Sequence, residues 1–241
     1  AALAPADGDT LQHSGGAWSA RTAAQVKTGL ALVKGDVGLG NADNTADMSK
    51  PVSTAQQAAL DGKIDDYAAV APADHGLAGW AYDPAHAVGT LVLTGGTLYL
   101  AKVAVPAAAT VTKVYWHVGV VAVAATAGQN HVGLYNASGT RLATAGVDSD
   151  VASTGLKATT VGGTALTAGQ WVWVGVLFNA ATPPALACTS LLAGASGLVN
   201  VGLAASVYRF ATNGAGLTSL PSSVTPGSAS AGVPLWAAVG V

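Results

Sequence analysis

The segment QWVWVGVLF, residues 170–178, is apolar at every position from 171 to 178 apart from one glycine. Alternation along a strand places its side chains on opposite faces of a sheet. The two sets are Trp171, Trp173 and Leu177 on one face, and Val172, Val174, Val176 and Phe178 on the other. A strand with two apolar faces is buried on both sides. We expect a subunit interface to bury the second face, with an interior position in a thick monomer as the alternative.

Similar short apolar segments recur on both sides of this strand, separated by clusters of Gly, Ser, Asn and Pro. They lie at residues 88–93, 97–105, 110–123, 130–137, 140–145, 190–194, 200–210 and 234–241. About nine short strands with turn residues between them are typical of a β-sandwich or jelly roll. In GLYNASGTRLA, residues 133–143, Asn136, Ser138 and Gly139 interrupt two β-rich runs and predict a hairpin. The predicted fold class is therefore mainly β, with a jelly-roll-like β-sandwich.

The composition limits the classes of protein to consider. Hydrophobic residues make up 51% of the 241 residues and charged residues 9%, which favours a packed protein over a disordered one. The 10 basic residues face 12 acidic ones, all Asp, so there is no basic field for nucleic acid. The longest apolar run, residues 118–127, is about half the length that a membrane-spanning helix needs, so we expect no membrane insertion.

Charged residues divide the chain into two parts. Residues 1–84 contain 10 Asp and 5 Lys or Arg, 15 charges in all, whereas the longer remainder contains only 7. We therefore predict a boundary near Pro84, with domains at residues 1–84 and 85–241.

The first part is predicted to consist of small local units. Short runs flank Ser14, Gly15 and Gly16, whose glycines supply the positive φ of a hairpin turn. Pro51 suits the first turn of a helix that continues to about residue 69. Its apolar side is narrow and consists of Val52, Ala55, Ala59, Leu60, Ile64 and Tyr67. Because so narrow a stripe stabilises a lone helix only marginally, we expect copies of this helix to form a short bundle.

A family resemblance rests on the same part of the chain. KGDVGLGNADNTADMSKPVSTAQQAALDGK, residues 34–63, resembles the recurrent segment of phage tail fibres and related virion fibres, in which a DVGLGNVDNT-like turn precedes a KPVST-initiated helix. ADGDTLQHSGGAWSART, residues 6–22, is similar to the segment that often precedes it. Ala42 departs from the Val that the family often has. The resemblance implies a homotrimeric stalk or collar in a virion, attached to other virion or baseplate proteins, and it supplies no catalytic residues.

No convincing catalytic or metal motif accompanies this stalk. Beyond Pro84 the only acidic residues are Asp148 and Asp150. They are two positions apart in a predicted loop, which favours turn residues or a weak cation site over an acid–base pair. His86, His117 and His131 have no metal-ligand spacing, although trimeric fibres sometimes place one His from each chain around an axial metal. Cys188, in an apolar stretch, is expected to be a buried small residue. We expect neither a cofactor nor enzymatic activity.

Three functions follow as hypotheses. The first is a fibre whose head adheres to a cell-surface glycan or protein. The second is a purely structural component, such as a head fibre, a decoration or baseplate protein or an injection-system fibre, and the third is a polysaccharide depolymerase, which the scarcity of carboxylates disfavours. All three place the chain on a virion or similar particle.

Receptor binding is expected where aromatic rings lie beside polar or charged groups, as sugars require. The residues are Tyr135, Asn136, Arg141, Asp148, Asp150, Tyr208 and Arg209. The alternative is that the two tyrosines fill the core while the two arginines keep the surface soluble.

Overall fold

The computed structural model describes Ala6, residues 8–31, Asp36 and residues 53–65, 71–189, 200, 203–225 and 228–241. The chain divides into two compact units, Ala1–Ala59 and Leu60–Val241. The boundary between them falls within a helix, Thr54–Asp65. Strand pairing in the larger unit begins at Gly79, ahead of the boundary predicted near Pro84.

The smaller unit begins with the predicted hairpin, which the structure confirms. Strand β1, Thr10–Ser14, pairs antiparallel with β2, Ala17–Arg21. Gly15 and Gly16 connect them with φ values of 61° and 81°, the left-handed region that a two-residue hairpin turn requires. None of the described residues up to Ala59 is buried.

Two helices with the same type of N-terminal cap follow. Helix α1, Ala23–Leu30, begins after Thr22, whose Oγ1 accepts a hydrogen bond from the Gln25 backbone N–H at 3.3 Å while the Gln25 side chain accepts one from the Thr22 N–H at 3.0 Å. Helix α2, Thr54–Asp65, begins after Ser53, which exchanges the same two bonds with Gln56 at 3.1 Å each. The predicted helix is confirmed over this range, and its expected residues Val52 and Tyr67 lie outside the described residues, as does the predicted turn at 38–47.

The larger unit is built from antiparallel strands. They are β3 (Gly79–Trp80), β4 (Gly89–Val92), β5 (Tyr99–Ala104), β6 (Ala109–Val120), β7 (Val123–Ala125), β8 (His131–Tyr135), β9 (Arg141–Gly146), β10 (Gly155–Leu166), β11 (Trp171–Leu177), β12 (Ala180–Thr182), β13 (Ala185–Cys188), β14 (Phe210–Thr212), β15 (Ser230–Ala231) and β16 (Ala237–Gly240). Twelve of them join in the order β4-β13-β6-β16-β3-β5-β11-β8-β9, with β10 added to β6 and β14-β15 to β5. Strands β7 and β12 form a separate pair. The mainly-β prediction is confirmed.

Strand β10 was absent from the predicted strands, although it pairs with β6 along most of their length. Its sequence, GLKATTVGGTAL, is rich in Thr, Ala and Gly and lacks an apolar run. The register shifts between Thr160 and Thr164, where Gly162 has a φ of 87°. A bulge of this kind bends a strand and breaks the alternation on which sequence reasoning depends. The predicted strand at 190–194 lies outside the described residues, and the described residues of 200–210, which are 200 and 203–210, contribute strand only at Phe210.

The core consists of two large apolar clusters on opposite faces of β11. The first cluster contains Val172, Val174 and Val176, together with valines of β6. The second contains Trp173 and Leu177, which pack with Leu220, Val224 and Ala229 from a later segment of the same chain. The expectation of a subunit interface over this second face is therefore wrong. The interior position is correct, because a segment distant in sequence folds over the strand.

Candidate functional site

Tyr135, predicted as an exposed aromatic at a receptor site, belongs to the second core cluster. Its side chain is 0% exposed, and its hydroxyl donates a hydrogen bond to the Pro221 carbonyl at 3.0 Å. Burial raises the pKa of Tyr135 to about 12, against the opposing effect of the nearby Arg141 charge. The structure thus corrects the placement of this residue: its ring fills the core, as the alternative interpretation of the sequence had it.

Arg141 lies opposite Tyr135 in the β8–β9 pair. Its Nη1 donates to the Leu220 carbonyl, and its backbone N–H donates to the Ser222 carbonyl at 2.9 Å. Together with Tyr135, it fastens residues 220–222 onto the sheet. Its guanidinium is therefore engaged within the chain, in a positioning role that the sequence did not indicate.

Asn136 forms the turn of the predicted β8–β9 hairpin, which the structure confirms. Its side-chain oxygen accepts hydrogen bonds from the Ser138 hydroxyl and the Thr140 backbone N–H, each at 2.8 Å. Gly139 completes the turn with a φ of 89°. The amide of Asn136 therefore stabilises the local loop conformation.

Asp148 and Asp150 hold loops beyond the opposite end of the same hairpin. Asp148 accepts hydrogen bonds from the Gly128 N–H at 2.6 Å and the Asn130 side chain at 2.8 Å. These two hydrogen bonds keep the pKa of the Asp148 carboxyl below its usual range, and the bond from Gly128 has the larger effect.

Asp150 ends a buried hydrogen-bond chain. The Trp116 indole N–H donates to Thr159 Oγ1 at 3.0 Å, and that hydroxyl donates to Asp150 at 3.1 Å. The two carboxylates are thus separately engaged, and the structure does not bring either of them to Asn136.

Of the other two predicted residues, Arg209 lies beside β5, and Tyr208 packs, like Trp171, partly buried against the second core cluster. The backbone N–H of Lys102 donates to the Arg209 carbonyl at 2.8 Å, which continues the β5–β14 pairing by one residue. Arg209 is exposed, and its Nη2 donates to the Ala81 carbonyl at 3.3 Å. Lys102 Nζ stands 4.0 Å from the centroid of the Trp171 ring, a cation–π contact. We call Lys102, Trp171, Tyr208 and Arg209 the basic patch.

A row of directly opposite residues connects this patch to Arg141. Lys102 pairs with Trp173 across β5 and β11, Trp173 with Tyr135 across β11 and β8, and Tyr135 with Arg141. Directly opposite residues project from the same face of a sheet, which applies to Lys102, Trp173 and Tyr135. The β8–β9 register shifts between Leu134 and Tyr135, and Arg141 shares this side through its contact with the segment that Tyr135 also contacts. Residues 220–222 cover the Tyr135 end of this row, whereas Arg209 is exposed at the other end.

Buried groups fix the backbone of the patch. Asn200, which is buried, accepts hydrogen bonds from the Arg209 and Phe210 N–H groups at 2.8 and 3.4 Å and donates to the Phe210 carbonyl at 2.6 Å. Trp171 packs edge-on against the buried Trp173 with ring centroids 5.3 Å apart. The patch is therefore preorganised on a rigid sheet.

Two basic-patch residues, Lys102 and Trp171, were not among the predicted site residues. Partial burial lowers the pKa of Lys102, and the neighbouring Arg209 charge lowers it further. A single lysine within the apolar run TLYLAKVAV was the available signal, since an isolated charge in such a strand needs a reason.

A cavity of about 660 Å³ forms a second feature of the larger unit. Its walls include His75, Tyr115, His117, Leu156 and Trp236. His117 Nδ1 is buried there without a hydrogen-bond partner among the described residues. The cavity is mainly apolar, and no carboxylate lines it.

The remaining candidates for chemistry are separated. His131 Nε2 lies 3.0 Å from the Gly128 carbonyl, and Cys188 is buried, which raises the pKa of its thiol. Among the described residues, no group of three or more potential ligands is placed to hold a metal ion. In the same part of the chain, no helix combines the length and apolar character needed to cross a membrane.

Comparison with known proteins adds no family to these observations. No protein-family model matches the chain, and no curated protein sequence matches it significantly. Any functional conclusion therefore depends on the residues and the geometry above.

Proposed function

We propose that the chain is a non-enzymatic, phage-type virion fibre protein that forms a homotrimer and attaches the particle to a bacterial surface. The observation that carries this proposal is the basic patch, a preorganised combination of two cations and two aromatic rings on a rigid β framework. Such combinations bind polar cell-surface molecules because they offer charge, hydrogen-bond donors and a flat apolar surface together. The resemblance of residues 34–63 to fibre stalks supports the same assignment.

The head is proposed to be a β-sandwich. Strands β6 and β11 do not pair with each other, yet their valines share the first core cluster. Trp116 of β6 lies 5.4 Å, centroid to centroid, from Phe178, which follows β11. Contacts between unpaired strands across a common core are what two packed sheets produce.

Trimer formation is supported by the exposed apolar side chains of the smaller unit. Trp18 is 58% exposed and Leu30 61% exposed. A lone two-stranded hairpin and an eight-residue helix are each marginally stable in water. Further copies of the same unit would bury these side chains, and this side of the chain would also contact other virion or baseplate proteins.

The absence of catalysis is proposed because of how the carboxylates are used. The sequence from Ala71 onward contains four acidic residues, Asp74, Asp83, Asp148 and Asp150. Asp74 and Asp83 accept hydrogen bonds from nearby backbone N–H groups, and the other two hold the contacts described above. Hydrolysis of polysaccharides generally uses two carboxylates that face one another across the substrate.

Two measurements test this function. Light scattering on the purified chain at micromolar concentration is expected to give the mass of three chains, and gold-labelled antibody is expected to mark fibres on intact particles in electron micrographs. A fluorescently labelled chain is expected to bind host cells without releasing reducing ends from their envelope polysaccharide. A monomer that marks no particle contradicts the proposal. Labelled particles without cell binding by the chain favour the purely structural component instead.

A further inference from the structure

The basic patch brings together two positive charges that no carboxylate of the described residues from Ala71 onward neutralises. Arg209 and Lys102 are cross-strand neighbours, and like charges placed directly opposite destabilise a sheet. All four carboxylates from Ala71 onward hydrogen-bond elsewhere. Within the described part of the chain, the Lys102 ammonium has the Trp171 ring as its partner and no hydrogen-bond acceptor.

The side chains of the other cations of this stretch each have a hydrogen-bond acceptor, as Arg209 has in the Ala81 carbonyl. Lys113 Nζ donates to the Val241 carbonyl at 3.2 Å, and Arg141 donates to the Leu220 carbonyl. Lys157 Nζ donates to Ser153 Oγ at 2.8 Å. What distinguishes the Lys102–Arg209 pair is that the two residues are directly opposite and that the Lys102 ammonium has no hydrogen-bond acceptor among the described residues.

We propose that the basic patch binds an acidic saccharide, with the anionic group of the sugar between Lys102 and Arg209 and the sugar ring against Trp171 and Tyr208. This inference rests on the proposed adhesive function and names its ligand class. An anion at this position relieves the repulsion between the two cations and receives charge-assisted hydrogen bonds from both. The indole edge of Trp171 and the phenol ring of Tyr208 supply the apolar surface that a sugar ring requires, and the Tyr208 hydroxyl supplies a hydrogen-bonding group.

Two sources can supply such an anion, the carboxylate of a uronic acid or the phosphate of a phosphorylated sugar. Both carry one or two charges on a hydroxylated ring, and both fit the same pair of cations. Binding experiments with one ligand of each type separate them.

The test is calorimetric titration of the full chain with tetragalacturonate and with glucose 6-phosphate, using maltotetraose as the neutral ligand and inorganic phosphate as the bare anion. At least one acidic sugar is expected to bind about ten-fold or more tightly than both controls. Raising the salt from about 0.05 M to about 0.5 M is expected to weaken this binding, because the pair is partly exposed to solvent. Equal binding of maltotetraose overturns the charge requirement, and equal binding of inorganic phosphate overturns the ring contact.

Variants assign the binding to the patch. Lys102→Gln and Arg209→Gln are each expected to weaken binding of the acidic sugar about ten-fold, and Trp171→Ala is expected to weaken it as well. Lys102→Arg keeps the charge and is expected to retain binding. Lys157→Gln removes a lysine that hydrogen-bonds within its own loop and serves as the matched control. Unchanged affinity in folded Lys102→Gln and Arg209→Gln chains overturns the inference, as does an equal loss in Lys157→Gln.

The failures of the two proposals are distinguishable. If the chain binds host cells but none of the acidic sugars, the ligand class is wrong and the adhesive function stands. If it binds an acidic sugar through the patch but marks no particle, the fibre assignment is wrong and the site stands.

Discussion

The two compact units differ in how far their stabilising contacts reach along the chain. In the smaller unit, the described hairpin and capped helix make their hydrogen bonds between residues that are close together in sequence. No described residue of this unit is buried. In the larger unit, β3 pairs with β16, and the Tyr82 hydroxyl donates to the Pro234 carbonyl 152 residues away. Local turn and cap chemistry accounts for the first unit, whereas burial between distant segments accounts for the second.

The largest expected effect contrasts a tryptophan from each unit. Trp116→Ala should lower the free energy of unfolding of the larger unit by about 3–5 kcal/mol, because it empties a fully buried site. Trp18→Ala should leave that transition unchanged and instead raise the dissociation constant of the proposed trimer. Chemical denaturation followed by fluorescence, together with sedimentation across a dilution series, measures both effects. If Trp18→Ala lowers the unfolding transition of the larger unit, the two units are not independent.

Glycine substitutions sharpen the same contrast. A Cβ at Gly133 would lie 2.5 Å from the Ala143 carbonyl oxygen and 2.8 Å from a Leu220 methyl, so Gly133→Ala should cost about 1–3 kcal/mol. Gly29→Ala, within α1, meets nothing within 4 Å and should stabilise that helix by about 0.5–1 kcal/mol. Melting curves check the first substitution, and helicity by circular dichroism checks the second. A neutral Gly133→Ala contradicts the close packing of β8 on β9.

Hydrogen-bond removal gives an intermediate effect. Thr159→Val keeps the shape of the side chain but leaves the buried Trp116 N–H without an acceptor, so it should cost about 1–3 kcal/mol of global stability. Thr22→Ala removes the cap of α1 and should cost about 1 kcal/mol, confined to local fraying. Hydrogen exchange separates the two, because global loss speeds exchange throughout the sheet. Exchange limited to the Thr159 region would contradict a cooperative larger unit.

The smallest effect concerns pH. Hydrogen bonds from Gly128 and Asn130 lower the pKa of Asp148 in the folded state. This contribution is therefore present above the unfolded pKa of about 4 and is lost as pH falls through the lower folded pKa. Asp148→Asn should lower the Tm slightly at pH 7 and reduce the further fall in Tm on acidification. Calorimetric scans of both chains at pH 7 and pH 3 test this expectation, and parallel pH profiles would contradict it.

Sequence reasoning located the elements whose cause is local. Glycines with positive φ explain the predicted hairpin turn at Gly15 and Gly16. The helix was predicted from Pro51 onward, and the described helix begins after the Ser53 cap. The two-sided apolar pattern of β11 predicted burial on both faces. In each case the residues that cause the structure lie within a few positions of it, so the pattern is visible without the fold.

Tertiary structure decided what covers each surface and which side chains meet. It placed Leu220, Val224 and Ala229 over the second face of β11, turned Tyr135 into a core residue, and added β10 despite its weak pattern. It also brought Arg209 beside Lys102, 107 positions earlier in the chain by their residue numbers. These outcomes depend on pairings between segments that are far apart in sequence. Burial of apolar surface within the whole unit stabilises these pairings against the entropic cost of closing the long loops between them, so the local sequence carries no signal of them.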